Sequence, residues 1–167
     1  PLFDQRLRRD VQVILTILSY DEENDPDFVA LISASTALAI SDIPWGGPIA
    51  GMRILSVPKK REFHINPPNT LLRQTLDNEE GAFEAFLAGT NNRISMIELM
   101  GKEAKEEEVI KAFVTAQDEV KKLVVFQQGI AKEIGQSKAA LAPKVYSNEL
   151  REKIKKGRRL TEQLPSI

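Results

Sequence analysis

The sequence contains no cysteine and only a single histidine among its 167 residues. Without thiols the chain can form no disulfide, no thiolate nucleophile and no zinc site built on cysteine. The sequence also does not indicate an oxidising or a reducing compartment, because cysteine usage is the feature that would indicate it. Any chemistry of this chain must therefore come from carboxylates, hydroxyls and basic side chains.

Long apolar runs and an excess of one charge are also missing. No stretch approaches the roughly 18 apolar residues of a transmembrane helix, and the residues after Pro1 lack the pattern of a signal peptide. The 23 basic and 24 acidic residues give a formal net charge of -1, so the basic excess typical of an autonomous nucleic-acid-binding domain is absent. We expect a soluble, non-secreted chain. Because it starts at Pro1 without methionine, we expect a fragment of a longer protein.

The remaining composition is typical of a globular protein of one domain or slightly more, with 42% hydrophobic and 28% charged residues. The apolar, β-branched run over 11–18 predicts a strand that is covered on both faces. Asp25 then offers a capping carboxylate and Pro26 a proline at the first helical position. A helix is therefore predicted over 26–40, and its many small residues predict close packing and burial.

Further along the chain, strand and helix patterns alternate. Four more strands are predicted, over 49–57, 62–65, 83–88 and 94–100. A short helix is predicted over 69–74, and a long one begins after Lys105. Its apolar stripe is predicted to comprise Val109, Ile110, Phe113, Ala116, Val120, Leu123, Val124, Ile130 and Ala131. A last helix is predicted over 147–156, and the order of the elements indicates an α/β (α+β) fold.

Two neighbouring stretches carry a family resemblance. SASTAL at 33–38 and SDIPWGGPI at 41–49 resemble a helix and the following strand in the first core domain of polynucleotide phosphorylases. Other matching segments follow in the family's order and spacing: Pro1–Phe3, Val11–Ile14, Asn24–Asp27, Asn66–Pro67 and Leu87–Thr90. The resemblance covers the chain well as far as about Ile130 and the tail only loosely.

The resemblance implies the second half of a ribonuclease PH-like core domain over 1–134, a fold also described as ribosomal protein S5 domain 2-like. A linker and the start of an all-helical domain would follow over 135–167. The implied parent is a homotrimeric, phosphate-dependent exoribonuclease without membrane association, cytoplasmic in bacteria or organellar in a eukaryote. It would bind RNA, join RNA-degradation complexes, use inorganic phosphate as substrate, and bind Mg²⁺ outside this segment.

The residues that match the family's catalytic groups indicate a segment without catalytic activity. In the family these groups lie in the second core domain, as a serine-rich helix start and an Asp-x-Asp-x-Lys run. Against the first, this chain keeps three hydroxyls, at Ser33, Ser35 and Thr36. Against the second it keeps Glu84, whereas Ala82 and Phe86 replace the other acid and the lysine. A lone carboxylate cannot assemble a metal site, so we expect these positions to be vestigial and the fragment to be inactive.

Each candidate residue has a simpler interpretation beside the functional one. Four arginines are candidates for RNA contact: Arg6, Arg8, Arg9 and Arg93. Solvated surface is the favoured interpretation for them, because phosphate binding needs several convergent cations. Close packing is favoured for the three hydroxyls, and Glu84 is expected to face solvent in an alternating strand. For Trp45 we favour a packing or subunit-interface role over base stacking.

Two other functions compete with this reading. A free-standing scaffold or protein-interaction domain on the same half-fold would hold partner subunits without RNA chemistry. A small-molecule enzyme would need a convergent set of catalytic groups, which the missing cysteines and scattered carboxylates argue against. Half of a core domain would also leave sheet edges unpaired, which predicts association through those edges.

Overall fold

A computed structural model describes residues 2–4, 7, 9–140 and 148–161. The elements in chain order are α1 (Pro26–Ile40), β1 (Ala50–Val57), β2 (Glu62–Ile65), α2 (Asn69–Asn78), β3 (Phe83–Gly89), β4 (Ile94–Gly101), α3 (Glu106–Ile134) and α4 (Asn148–Thr161). The strands form one antiparallel sheet in the order β2-β1-β3-β4. This α+β arrangement is confirmed, and it is compatible with a partial ribonuclease PH-like domain followed by a helical segment.

α1 begins and ends where the sequence predicts. The side chain of Asp25 accepts the backbone N–H of Asp27 at 2.9 Å, and Pro26 occupies the first helical position. A carboxylate cap and a proline that needs no intrahelical donor both favour a helix start here. The cap therefore fixes the first turn of α1 from local sequence alone.

α1 lies against β1 and α3, but it is only partly covered. A Cβ at Gly51 would come within 2.6 Å of the Leu31 side chain, so the glycine permits the close approach of helix and strand. On the other side of the helix, Val29 and Ser33 are exposed. The predicted burial of α1 is therefore wrong for that side, which lines an open cavity together with residues 15–21.

The hydrophobic core lies between the sheet and α3. The sheet contributes Ala50, Met52, Ile54, Phe83, Ala85 and Leu87. α3 contributes Ala112, Ala116, Val120 and Val124, which share one helical stripe. The predicted long helix is confirmed, but Ile110 is 61% exposed. Its assignment to the buried stripe is wrong, because the small residue Ala112 lies at the centre of that stripe and turns Ile110 outward.

The apolar run before α1 does not form a strand. Residues 11–20 have no regular secondary structure, and most of their side chains are exposed, with Leu18 at 93%. Within the described part of the chain, no strand pairs with this segment. The strand predicted over 11–18 is therefore wrong for this structure, since strand formation requires a partner backbone as well as apolar side chains.

After α3 the chain returns to the C-terminal end of α1. The Nζ of Lys138 donates to three backbone oxygens, those of Leu38 (2.8 Å), Ala39 (2.9 Å) and Ser41 (2.6 Å). The backbone N–H of Gln136 also donates to the carbonyl of Ile40. Because α1 has no basic residue in its last turn, Lys138 supplies the positive charge that favours a helix C-terminus. The segment over 135–140 is thereby fixed to α1.

α4 begins close to the predicted position and extends further than predicted. Its lysines form ion pairs along the helix surface, Lys153 with Glu149 and Lys155 with Glu152. Within the described residues, no helix has the length and apolar character needed to cross a membrane. The division of the chain into two units at 134 and 135 stays a prediction.

Candidate functional site

A cluster of charges joins the start of α1 to the middle of the sheet. The Arg53 guanidinium donates to the Glu84 carboxylate at 2.6 Å through Nη1, and to the Asp25 carboxylate at 2.8 Å through Nε. Its carbon Cζ also lies 5.7 Å from the centre of the Phe86 ring. We call Arg53, Asp25 and Glu84 the Arg53 cluster. It links β1, β3 and the capping residue of α1.

Glu84 is 8% exposed, so the expectation that it faces solvent is wrong. β3 is an interior strand with all of its residues buried, and alternation does not separate core from solvent in such a strand. Burial alone would lower the pKa of Arg53, but the hydrogen bonds and charges of Asp25 and Glu84 raise that pKa overall. The cluster therefore already contains its own permanent cation.

Two of the three hydroxyls matched to the serine-rich stretch form hydrogen bonds, and they do so with different partners. Ser35 is buried, and its Oγ accepts the backbone N–H of Ile49 at 2.9 Å. The Oγ1 of Thr36 donates to the carbonyl of Ile32 at 2.8 Å. Ser33 is exposed on the uncovered side of α1. Two of the three hydroxyls thus serve contacts within the fold, and the vestigial assignment of the set stays a prediction.

Gln127 is a structural residue that the sequence patterns did not identify. It is fully buried on α3, and its Nε2 donates to the carbonyl of Ile49 at 2.9 Å. Its Oε1 lies 3.2 Å from the Oγ1 of Thr36. One amide therefore joins α3, α1 and the start of β1. A polar residue in line with Val124 on an otherwise apolar stripe is the sequence signal for such a contact.

The arginines proposed for RNA contact are only partly described. Arg9 and Arg93 are exposed, and neither forms an ion pair within the described residues. Arg6 and Arg8 lie outside the described residues. No group of three or more acidic or histidine side chains poised for a metal ion occurs within the described ranges. The RNA-contact assignments stay predictions.

The indole of Trp45 packs on its own chain. A Cβ at Gly47 would overlap the indole ring, and the ring centre lies 6.3 Å from that of Phe3. The backbone N–H of Gly46 donates to the carbonyl of Leu2 at 2.8 Å. These contacts are those of a packed turn.

No protein-family model matches the chain. A polyribonucleotide nucleotidyltransferase of Exiguobacterium sibiricum is 38% identical over 155 residues, which cover 93% of this chain and 20% of that relative. Proteins of the same name from Caldicellulosiruptor saccharolyticus and Streptococcus sanguinis are 36% and 38% identical over 93% and 92% of this chain, and 21% and 20% of their own length. The chain thus spans about a fifth of the relatives that it matches. The resemblance stated from the motifs is confirmed.

Proposed function

We propose that the chain forms part of a polyribonucleotide nucleotidyltransferase. Nearly all of its length resembles about a fifth of such an enzyme. The parent would degrade RNA from its 3′ end, with inorganic phosphate releasing nucleoside diphosphates. It would act as a homotrimer with Mg²⁺ bound elsewhere, in the bacterial cytoplasm or in an organelle. Residues 1–134 would form the second half of the first core domain, with a structural and channel-forming role but no catalysis.

The Arg53 cluster carries the proposal that this segment is not catalytic. Glu84 is the single carboxylate at the matched position, and its Oε2 already accepts a hydrogen bond from Arg53. Metal-assisted phosphoryl transfer needs carboxylates that are free to bind the ion and a cation that offsets developing charge. Phe86 stands where the family has a lysine, so the second requirement is unmet too. These residues do not fit a Mg²⁺ site.

The test is phosphorolysis by the chain itself. We expect no release of adenosine diphosphate when the chain is incubated with polyadenylate, Mg²⁺ and phosphate, while the Exiguobacterium sibiricum relative serves as the positive control. Phosphate-dependent release would overturn the proposal. The variant Glu84→Gln would then show whether the released product depends on this carboxylate.

A second measurement separates the channel-forming role from that of a protein scaffold. A channel segment keeps weak, salt-sensitive affinity for polyadenylate, because phosphate contacts release counterions. The variant Arg93→Ala should weaken this binding, whereas the matched variant Lys111→Ala should not. Absence of any RNA binding by the chain would favour the scaffold.

A further inference from the structure

The C-terminal end of α1 directs three backbone carbonyls toward one point. The last carbonyls of an α-helix have no partner within the helix, and those of Leu38 and Ala39 belong to this group. The carbonyl of Ser41 joins them, because a single nitrogen, the Nζ of Lys138, lies within 2.9 Å of all three oxygens. We call these three oxygens the α1 cradle.

The turn that forms the α1 cradle is held by its own hydrogen bonds. The Oγ of Ser41 donates to the carbonyl of Leu38 at 2.9 Å and accepts the backbone N–H of Ile43 at 3.2 Å. The backbone N–H of Ser41 donates to the carbonyl of Ala37 at 3.1 Å. None of these bonds involves Lys138, so the three oxygens are arranged before the ammonium reaches them.

Neutral carbonyl oxygens at these distances suit a monovalent cation. A lysine ammonium is a compact charge with three donors, and the α1 cradle offers one acceptor to each of them at 2.6 to 2.9 Å. Backbone carbonyls likewise replace the hydration shell of potassium. Sites for divalent ions add carboxylates, and the described part of the chain has no acidic cluster that could supply them.

We propose that the α1 cradle is a binding site for an ammonium-type monovalent cation, and that Lys138 fills it and thereby couples the segment over 135–140 to the core. Two backbone hydrogen bonds flank the ammonium, from Gln136 to Ile40 at 2.9 Å and from Ala139 to Asp42 at 2.7 Å. Residues 135–138 are exposed, so little buried apolar surface holds the segment. This coupling does not depend on the proposed function.

A simpler account needs only a positive charge near the helix end. The helix dipole favours any cation there, whatever its shape. The α1 cradle is more demanding, because its three oxygens surround one nitrogen. The planar guanidinium of arginine spreads its donors over three nitrogens, so it keeps the charge but cannot place all three hydrogen bonds from one atom. Lys138→Arg therefore separates the two accounts.

Amide hydrogen exchange on the whole chain measures the coupling. Lys138→Met should speed the exchange of the Gln136 and Ala139 amides by about tenfold, because the segment loses its charged attachment to α1. Lys138→Arg should restore only part of the protection. The matched variant Lys122→Met removes an exposed lysine of α3 and should change neither amide. The β3 amides should stay protected in every variant, which reports that the core is folded.

A rescue experiment tests the cation site itself. In Lys138→Ala, ammonium or potassium chloride should slow the exchange of the same two amides at constant pH. Tetramethylammonium chloride at equal concentration should not, because this ion has no N–H donor and is too large for the α1 cradle. Unchanged exchange in Lys138→Met would overturn the coupling. Full protection in Lys138→Arg, with no response of Lys138→Ala to ammonium or potassium, would overturn the site and leave only a charge at the helix end.

Discussion

Residues 11–18 and strand β3 are both rich in apolar residues, but they adopt different structures. The run contains several β-branched residues, whereas β3 (Phe83–Gly89) contains none. Yet β3 is entirely buried and pairs on both sides, while the run stays exposed and unpaired. The difference lies in the neighbours: β3 has β1 and β4 beside it and α3 over one face. Strand propensity thus reports how well side chains suit a covered sheet, and the partners decide whether a strand forms.

The largest expected effect is a difference in the free energy of unfolding between a truncation in β3 and the same truncation in the run. Leu87→Ala in β3 should lower the free energy of unfolding by about 3 kcal/mol, because it leaves a cavity in a fully buried site. Leu15→Ala in the run removes the same atoms from an exposed position and should change that free energy by less than about 0.5 kcal/mol. Urea unfolding of both variants measures the difference. Equal costs would show that the run is packed in solution.

A smaller effect on the free energy of unfolding is expected at the Arg53 cluster. In this cluster Arg53 joins Asp25, at the end of the loop that follows the run, to the sheet. Arg53→Met should cost about 2 kcal/mol in unfolding free energy, since it leaves two partly buried carboxylates without their cation. Adding Glu84→Gln should recover part of that loss. Lys111→Met, which breaks an exposed pair with Glu108, is the control and should cost less than about 0.5 kcal/mol. An Arg53→Met cost no larger than the control would mean that the cluster adds no stability.

Local signals in the sequence were sufficient for the boundaries of α1 and for the hairpin formed by β3 and β4. Asp25 and Pro26 define a helix start without reference to the rest of the fold, and the Gly89–Asn92 segment supplies a turn. Glu84 and Gln127 could not be placed in this way. The burial of Glu84 depends on Arg53, which is 31 residues away along the chain. Gln127 stands out as a polar residue on an apolar helical stripe, but its partner Ile49 is 78 residues away, and no local pattern indicates the partner of either residue.

The smallest effect tests the loop that joins the exposed run to α1. The Asp21 carboxylate accepts the backbone N–H groups of Asn24 (2.8 Å) and Glu23 (2.9 Å), and the Asn24 hydrogen bond is the largest cause that lowers the pKa of Asp21 below its ordinary value of 3.8. A lowered folded-state pKa means that the ordered loop favours the ionised carboxylate. That preference is fully present above the ordinary pKa and is lost as pH falls through the lowered one.

Carboxyl NMR should therefore show Asp21 titrating below 3.8, with the amide signals of Glu23 and Asn24 moving in the same step. Asp21→Asn should remove that step from both amides. Global stability should change little, because the carboxylate is fully exposed. Titration of Asp21 at its ordinary value would mean that the loop is open in solution. The run over 11–18 would then be separated from the folded part of the chain by an open loop. Its exposure, in contrast to the burial of β3, would follow from that loop and not from the lack of a strand partner.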